Sequence, residues 1–168
     1  DLGHTEIGPK GITFAGPLIA EVANGDLSGI SLAARTSAPG GGGRYGLFYP
    51  AVPNGMAATA SAWIYGLQQN GENRTNLALV NTGEADDSPD IFTIELFDGE
   101  SGVKVATLEG IKLKARQWMQ IGAILAPYAP TTTHGYARIT RTAGSNPFIA
   151  YGVINDGAKP GEHTGDGA

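Results

Sequence analysis

A chain of 168 residues with 26 glycines, 10 prolines and only 16% charged residues departs from the Ala-, Glu-, Lys- and Leu-rich profile of helical proteins and suits many turns between short strands. Its formal charge of −5 offers no attraction to nucleic acid or to an anionic membrane surface, and zero cysteines exclude disulfides, thiolate metal sites and a cysteine nucleophile. No apolar run approaches the roughly 20 residues that span a bilayer, so neither nucleic acid nor membrane insertion is expected.

Both ends, residues 1–10 and 158–168, are polar, Gly-rich and unpatterned, as linkers are. The sequence thus reads as one domain over 11–157, a mature piece of a larger protein. Residues 12–22 alternate loosely around Phe14, Leu18 and Ala20, with Pro17 demoting them to an edge or bulged strand. Asn24-Gly25-Asp26 is a turn, 30–35 a short strand, and Pro39 with Gly40 to Gly43 a hairpin tip. Residues 44–52 return as a strand with Tyr45, Leu47 and Tyr49 on one face and Phe48 and Val52 on the other.

Residues 61–69 read as a strand despite the Ala-rich approach, because Trp63-Ile64-Tyr65 favours extended structure. Asn70-Gly71-Glu72 then predicts a hairpin into 73–81, the central strand of the chain, where Thr75, Leu77 and Leu79 share one face and Arg74, Asn76 and Ala78 the other. Residues 91–98 alternate most clearly, with Phe92, Ile94 and Leu96 against Thr93 and Glu95. In 103–113, Val105, Thr107, Ile111 and Leu113 are expected to face inward around a break at Glu109-Gly110. Residues 117–125 follow, with Trp118 expected to cap the core, then a Pro/Thr loop, 136–142, a Gly144-Ser145-Asn146-Pro147 turn and 148–155. The sum is an all-β, antiparallel β-sandwich of about ten strands. Ala34-Arg35-Thr36 with Tyr45-Gly46-Leu47-Phe48-Tyr49 echoes Thr140-Arg141-Thr142 with Phe148-Ile149-Ala150-Tyr151-Gly152, which fits an internal pseudo-repeat or the convergence of turn chemistry.

The phrases Arg74-Thr75-Asn76-Leu77-Ala78-Leu79-Val80-Asn81 and Ala150-Tyr151-Gly152-Val153-Ile154-Asn155-Asp156, with Arg44 to Val52, Phe97-Asp98-Gly99 and Trp118-Met119-Gln120-Ile121, resemble a class of bacterial secreted proteins. These carry R-x-N-L-x-L-x-N and A-Y-G-x-x-N-D near the C-termini of large exported chains. The resemblance spans about residues 30–167. It implies an extracellular or cell-surface location and a modular, accessory role beside other domains of a parent protein. It carries over no functional residue.

Chemistry is sparsely signalled. The Gly40 to Gly43 run lacks the Lys-Ser/Thr and helix start of a phosphate loop. His4, His134 and His163 have no metal-ligand spacing, and no Gly-x-Ser-x-Gly elbow supports a serine nucleophile. Asn73-Arg74-Thr75 matches a glycosylation acceptor but falls on a strand. Asp86, Asp87 and Asp90, and Asn155, Asp156, Glu162 and Asp166, offer oxygen ligands of the kind calcium uses; turn-forming roles for Asp and Asn are the favoured reading, so no cofactor is expected. Trp63 and Tyr65 share a strand face, as do Tyr45 and Tyr49, and either pair can form a sugar-stacking platform, with Gln68, Gln69 and Asn70 beside the first to bond hydroxyls. Core packing is the commoner fate of such rings. The expectation is a non-catalytic accessory or adhesion module. A carbohydrate-binding module is the alternative, distinguished by an exposed aromatic row, and a glycan-active enzyme ranks below both.

Overall fold

The computed structural model describes residues 16–21, 23, 29–36, 38–40 and 43–157, with backbone alone at 38–40 and 43–45. The chain is an all-β antiparallel sandwich of eleven strands among these residues. β1 (Ala33–Arg35) pairs with β4 (Phe48–Pro50), and β2 (Ala38–Gly40) with β3 (Gly43–Tyr45), as a nested arm. The body has two sheets. One runs β5 (Ser61–Gln68), β10 (His134–Ala143), β7 (Asp90–Asp98), β8 (Lys104–Leu113); the other runs β11 (Phe148–Asp156), β6 (Asn73–Asn81), β9 (Trp118–Ile121). No helix among the described residues is long and apolar enough to cross a membrane.

Strict alternation builds the core. Phe92, Ile94 and Leu96 are fully buried while Thr93 and Glu95 face outward. Across the gap, Leu77 and Leu79 of β6 and Phe148 of β11 are also fully buried, and Phe92 meets Phe148 edge to face at 5.1 Å. Side chains of this size each gain about 1.5–3 kcal/mol from leaving water. β6 is the centre of its sheet and nearly buried on both faces. Its end is closed by Asn81, whose Oδ1 accepts from Gly83 N at 3.0 Å and whose Nδ2 donates to Leu113 O. At its start the buried Arg74 donates to Gly157 O, which ties down the exit of β11.

Several expectations are corrected. Asn70-Gly71-Glu72 forms a turn, with Asn70 N donating to Asn73 O at 3.0 Å, but no hairpin. β5 and β6 lie in different sheets, linked at this end by an isolated Gln69–Arg74 bridge and by Gln68 N donating to Thr75 Oγ1 at 2.7 Å, so the chain crosses the sandwich there. Gly144 to Pro147 makes the same crossing from β10 to β11. The proposed pseudo-repeat therefore joins unlike arms, because β1 and β4 pair while β10 and β11 do not. In β8, Ala106 and Leu108 face the core and Val105 and Thr107 face out; the facing switches at Gly110, φ +69°, after which Ile111 and Leu113 point in. Trp118 is not a core cap. Met119 and Ile121 pack inward, and Trp118 Nε1 donates to Tyr151 Oη at 2.9 Å on the other face. The strand expected over 117–125 stops at Ile121, and Ile124 and Leu125 close the core at a single helical turn, α1 (Leu125–Tyr128). Residues 16–21 carry no strand. The rest of the 12–22 strand, the Asn24-Gly25-Asp26 turn, Gly41, Gly42 and both proposed linkers lie outside the described residues.

Candidate functional site: an aromatic sheet face

The residues that alternate with the core on β5, β10, β7 and β8 form three cross-strand rows on the outer face of the four-stranded sheet. Register places Ser61 beside Thr140 and Thr93 in the first row, and Trp63 beside Arg138, Glu95 and Thr107 in the second. In the third, Tyr136 stands beside Phe97, itself opposite Lys104. Tyr65 joins this row through a bulge. Ile64 opposes Ala137 and Leu67 opposes Gly135, so Tyr65 and Gly66 together face Tyr136 alone. Gly66 takes φ +77°, the left-handed conformation that bulges of this kind assign to glycine. The extra residue resets the alternation, leaving Tyr65 outside and Leu67 fully buried.

Four rings share this face. Phe97 and Tyr136 are parallel within 4° at 5.0 Å, so near that the rings overlap in offset fashion. Trp63 lies 5.8 Å from Phe97, 6.0 Å from Tyr136 and 6.3 Å from Tyr65, the last at 12° between planes. Tyr65 also leans on Tyr136 at 5.6 Å. The rings support one another like shingles, and two stay open to solvent: Trp63 is 43% exposed and Tyr65 71%.

Glu95 organises the charged row. Arg138 Nε donates to its Oε2 at 2.6 Å and Lys104 Nζ to its Oε1 at 3.1 Å. These two bonds, Arg138 first, hold the Glu95 carboxyl below its usual pKa. The Arg138 guanidinium simultaneously lies over Trp63, 5.6 Å from the ring centroid.

The other residues singled out from the sequence sit elsewhere. Tyr49 is half-buried, edge to face with Tyr151 at 5.7 Å on the far sheet, and burial raises its hydroxyl pKa, with Tyr151 adding to the shift. The side chain of Tyr45 lies outside the described residues. Tyr49 is thus less open to solvent than Trp63 or Tyr65. Gln68 lies opposite His134 at the end of the aromatic face, whereas Asn70 Oδ1 is occupied by Glu72 N and Asn73 N, and Gln69 Oε1 is buried without a hydrogen-bond partner. Sequence reasoning missed Phe97, Tyr136, Arg138, Glu95 and Lys104 as members of the face. The signal was the outward-facing set Tyr136, Arg138, Thr140, read across from Ala137 and Ile139.

The acidic residues act as loop fasteners. Asp86 accepts from Ser88 N at 2.7 Å, from Ser145 Oγ and from Asn146 Nδ2, and the Ser145 bond leads in lowering its pKa. Asn146 Oδ1 in turn accepts from Ala85 N and Asp86 N at 2.9 and 3.0 Å. Asp87 pairs with Arg116 at 2.6 Å. Asp90 is buried against Gly144, accepting from Ser145 N, while its Oδ2 has no hydrogen-bond partner. Asp156 ends β11 opposite Asn73; Glu162 and Asp166 lie outside the described residues. Among the described residues, no three His, Asp or Glu side chains gather as a metal site would require.

No protein-family model, curated protein or solved structure matches this chain.

Proposed function

We propose that this chain is a non-catalytic extracellular accessory module of a larger exported protein, and that the outer face of its four-stranded sheet binds polysaccharide. The observation that carries the reading is the solvent exposure of Trp63 and Tyr65 within a four-ring cluster, flanked by the hydroxyl row Ser61, Thr140 and Thr93. Aromatic surface left in water on the edge strand β5, backed by Tyr136 and Phe97 on the inner strands, suits the apolar faces of sugar rings, and hydroxyls beside it satisfy theirs. Both oxygens of Glu95, the carboxylate within this face, are engaged by cations, which suits binding better than proton transfer. The extracellular, modular setting rests on the resemblance of the 74–81 and 150–156 phrases.

Retention on a panel of insoluble polysaccharides tests the reading. The chain is expected to be retained by at least one, and Trp63→Ala to abolish retention with the melting temperature nearly unchanged. Loss of folding in that variant, or retention indifferent to both Trp63→Ala and Tyr65→Ala, removes the platform from the account.

A further inference from the structure

We infer that the polysaccharide held by this face carries carboxylates on its sugar rings, that is, a uronate polymer. The inference rests on the polysaccharide reading above and specifies its ligand. Two cations on the face share one anion. Lys104 and Arg138 both bond to Glu95, and their side chains are 50% and 42% exposed while that of Glu95 is only 13% exposed. The negative charge is thus drawn inward and the positive ones stand at the solvent, leaving this trio with a surplus of one positive charge. The whole chain carries −5, but charges beyond about 8 Å are largely screened at physiological salt, so the local surplus decides what sits on the rings.

The geometry favours a ring-borne carboxylate. A pyranose stacked over Trp63 and Tyr65 lies against the sheet face, and a carboxylate attached directly to its ring carbon projects sideways, near the plane of the sugar. Arg138 stands next to Trp63 along the same cross-strand row, with Lys104 reaching the same carboxylate from the opposite side of Glu95. A sugar on the rings therefore sets its carboxylate towards the cations without giving up the stacking contact. Arg138 is already oriented by Glu95 and by the indole, so little further ordering is needed. Single-stranded nucleic acid also uses aromatic stacking, but it needs a cationic groove that follows many phosphates, and one surplus charge on an acidic chain is no such groove.

The test compares each uronan with its own uncharged form: galacturonan and β-1,4-glucuronan, each as free acid and as full methyl ester, in affinity electrophoresis with the full chain. Dextran sulfate and oligodeoxythymidylate complete the set. The free acid of at least one uronan is expected to bind about two- to fivefold tighter than its ester, the range of one exposed charge contact. Lys104→Gln is expected to erase that difference. Glu95→Gln, which unmasks both cations while keeping an acceptor for Arg138, is expected to enlarge it, a gain that misfolding cannot mimic. Trp63→Ala is expected to abolish binding to acid and ester alike. Equal binding of acid and ester, unmoved by Lys104→Gln and Glu95→Gln, overturns the uronate assignment and leaves the polysaccharide reading standing. Tighter binding of dextran sulfate or of oligodeoxythymidylate also overturns it. Retention on no uronan, combined with failure on the panel of insoluble polysaccharides, overturns both.

Discussion

Arg138 and Trp63 face each other across β10 and β5, the guanidinium carbon 5.6 Å from the ring centroid, while the same guanidinium bonds Glu95. An exposed indole is normally free to change rotamer. Here a cation fixed from its other side holds it, at a contribution of roughly 0.5–1 kcal/mol for an exposed pair. The ring is ordered before any ligand arrives, and less conformational freedom remains to be lost on binding.

Gly66 is the pivot of the face, and Gly66→Ala is expected to lower stability by about 1–2 kcal/mol. A Cβ there meets nothing within 4 Å, so the penalty comes from φ +77° and not from crowding. Urea denaturation measures the first effect and polysaccharide retention the second. If the strand relaxes to avoid the strain, Tyr65 turns or Leu67 leaves the core, and retention falls as well. An unchanged denaturation midpoint would show that the bulge is not required.

Leu77→Ala is expected to destabilise by about 2–5 kcal/mol, because Leu77 is fully buried at the centre of β6 between β11 and β9. The same measurement on Tyr65→Ala, at a residue 71% exposed, is expected to shift stability far less. Similar losses in the two variants would contradict the assignment of the two faces.

Acid is expected to weaken the fold below about pH 4.5. Glu95, Asp86 and Asp98 all have folded-state pKa values below their usual 4.5, 3.8 and 3.8, caused chiefly by bonds from Arg138, Ser145 and Ser101 respectively. A depressed carboxylate pKa gives stability that is present above the unfolded value and lost as pH falls through the folded one. The urea midpoint should therefore hold from pH 7 to 5 and decline towards pH 3, with a shallower decline in Arg138→Gln. A midpoint that is level from pH 5 to 3 contradicts this.

What was legible in the sequence is what nearest neighbours decide. The alternation of Phe92, Ile94 and Leu96 with Thr93 and Glu95 maps directly onto β7, and Asn81 with Gly83 marks the end of β6. Trp63 and Tyr65 were visibly on one side of their strand. Alternation does not say which side is the core, and Leu67 misleads, since only the bulge at Gly66 lets it sit opposite Tyr65. Asn70-Gly71 encodes a reversal of direction but not the partner across it, so a hairpin and a crossing between sheets look alike. Arg138 and Glu95 are brought together by pairing of β10 with β7, a relationship that no local pattern contains.

The crossings between the sheets govern how the molecule is made. Trp63 pairs with Arg138 and Leu77 with Gly152, so strands consecutive in the chain part company and wait for partners synthesised much later. Among the body strands, β7 and β8 alone are both consecutive and paired. A chain emerging from the ribosome can close that hairpin early, but β5 and β6 stay without their main partners until β10 and β11 follow. Such long-range pairing places folding in the slow, millisecond-to-second regime of β-sandwiches. It also means that a chain stopped before Phe148 lacks a strand of the three-stranded sheet and the ring that meets Phe92, so assembly is a late event that needs nearly the whole domain at once.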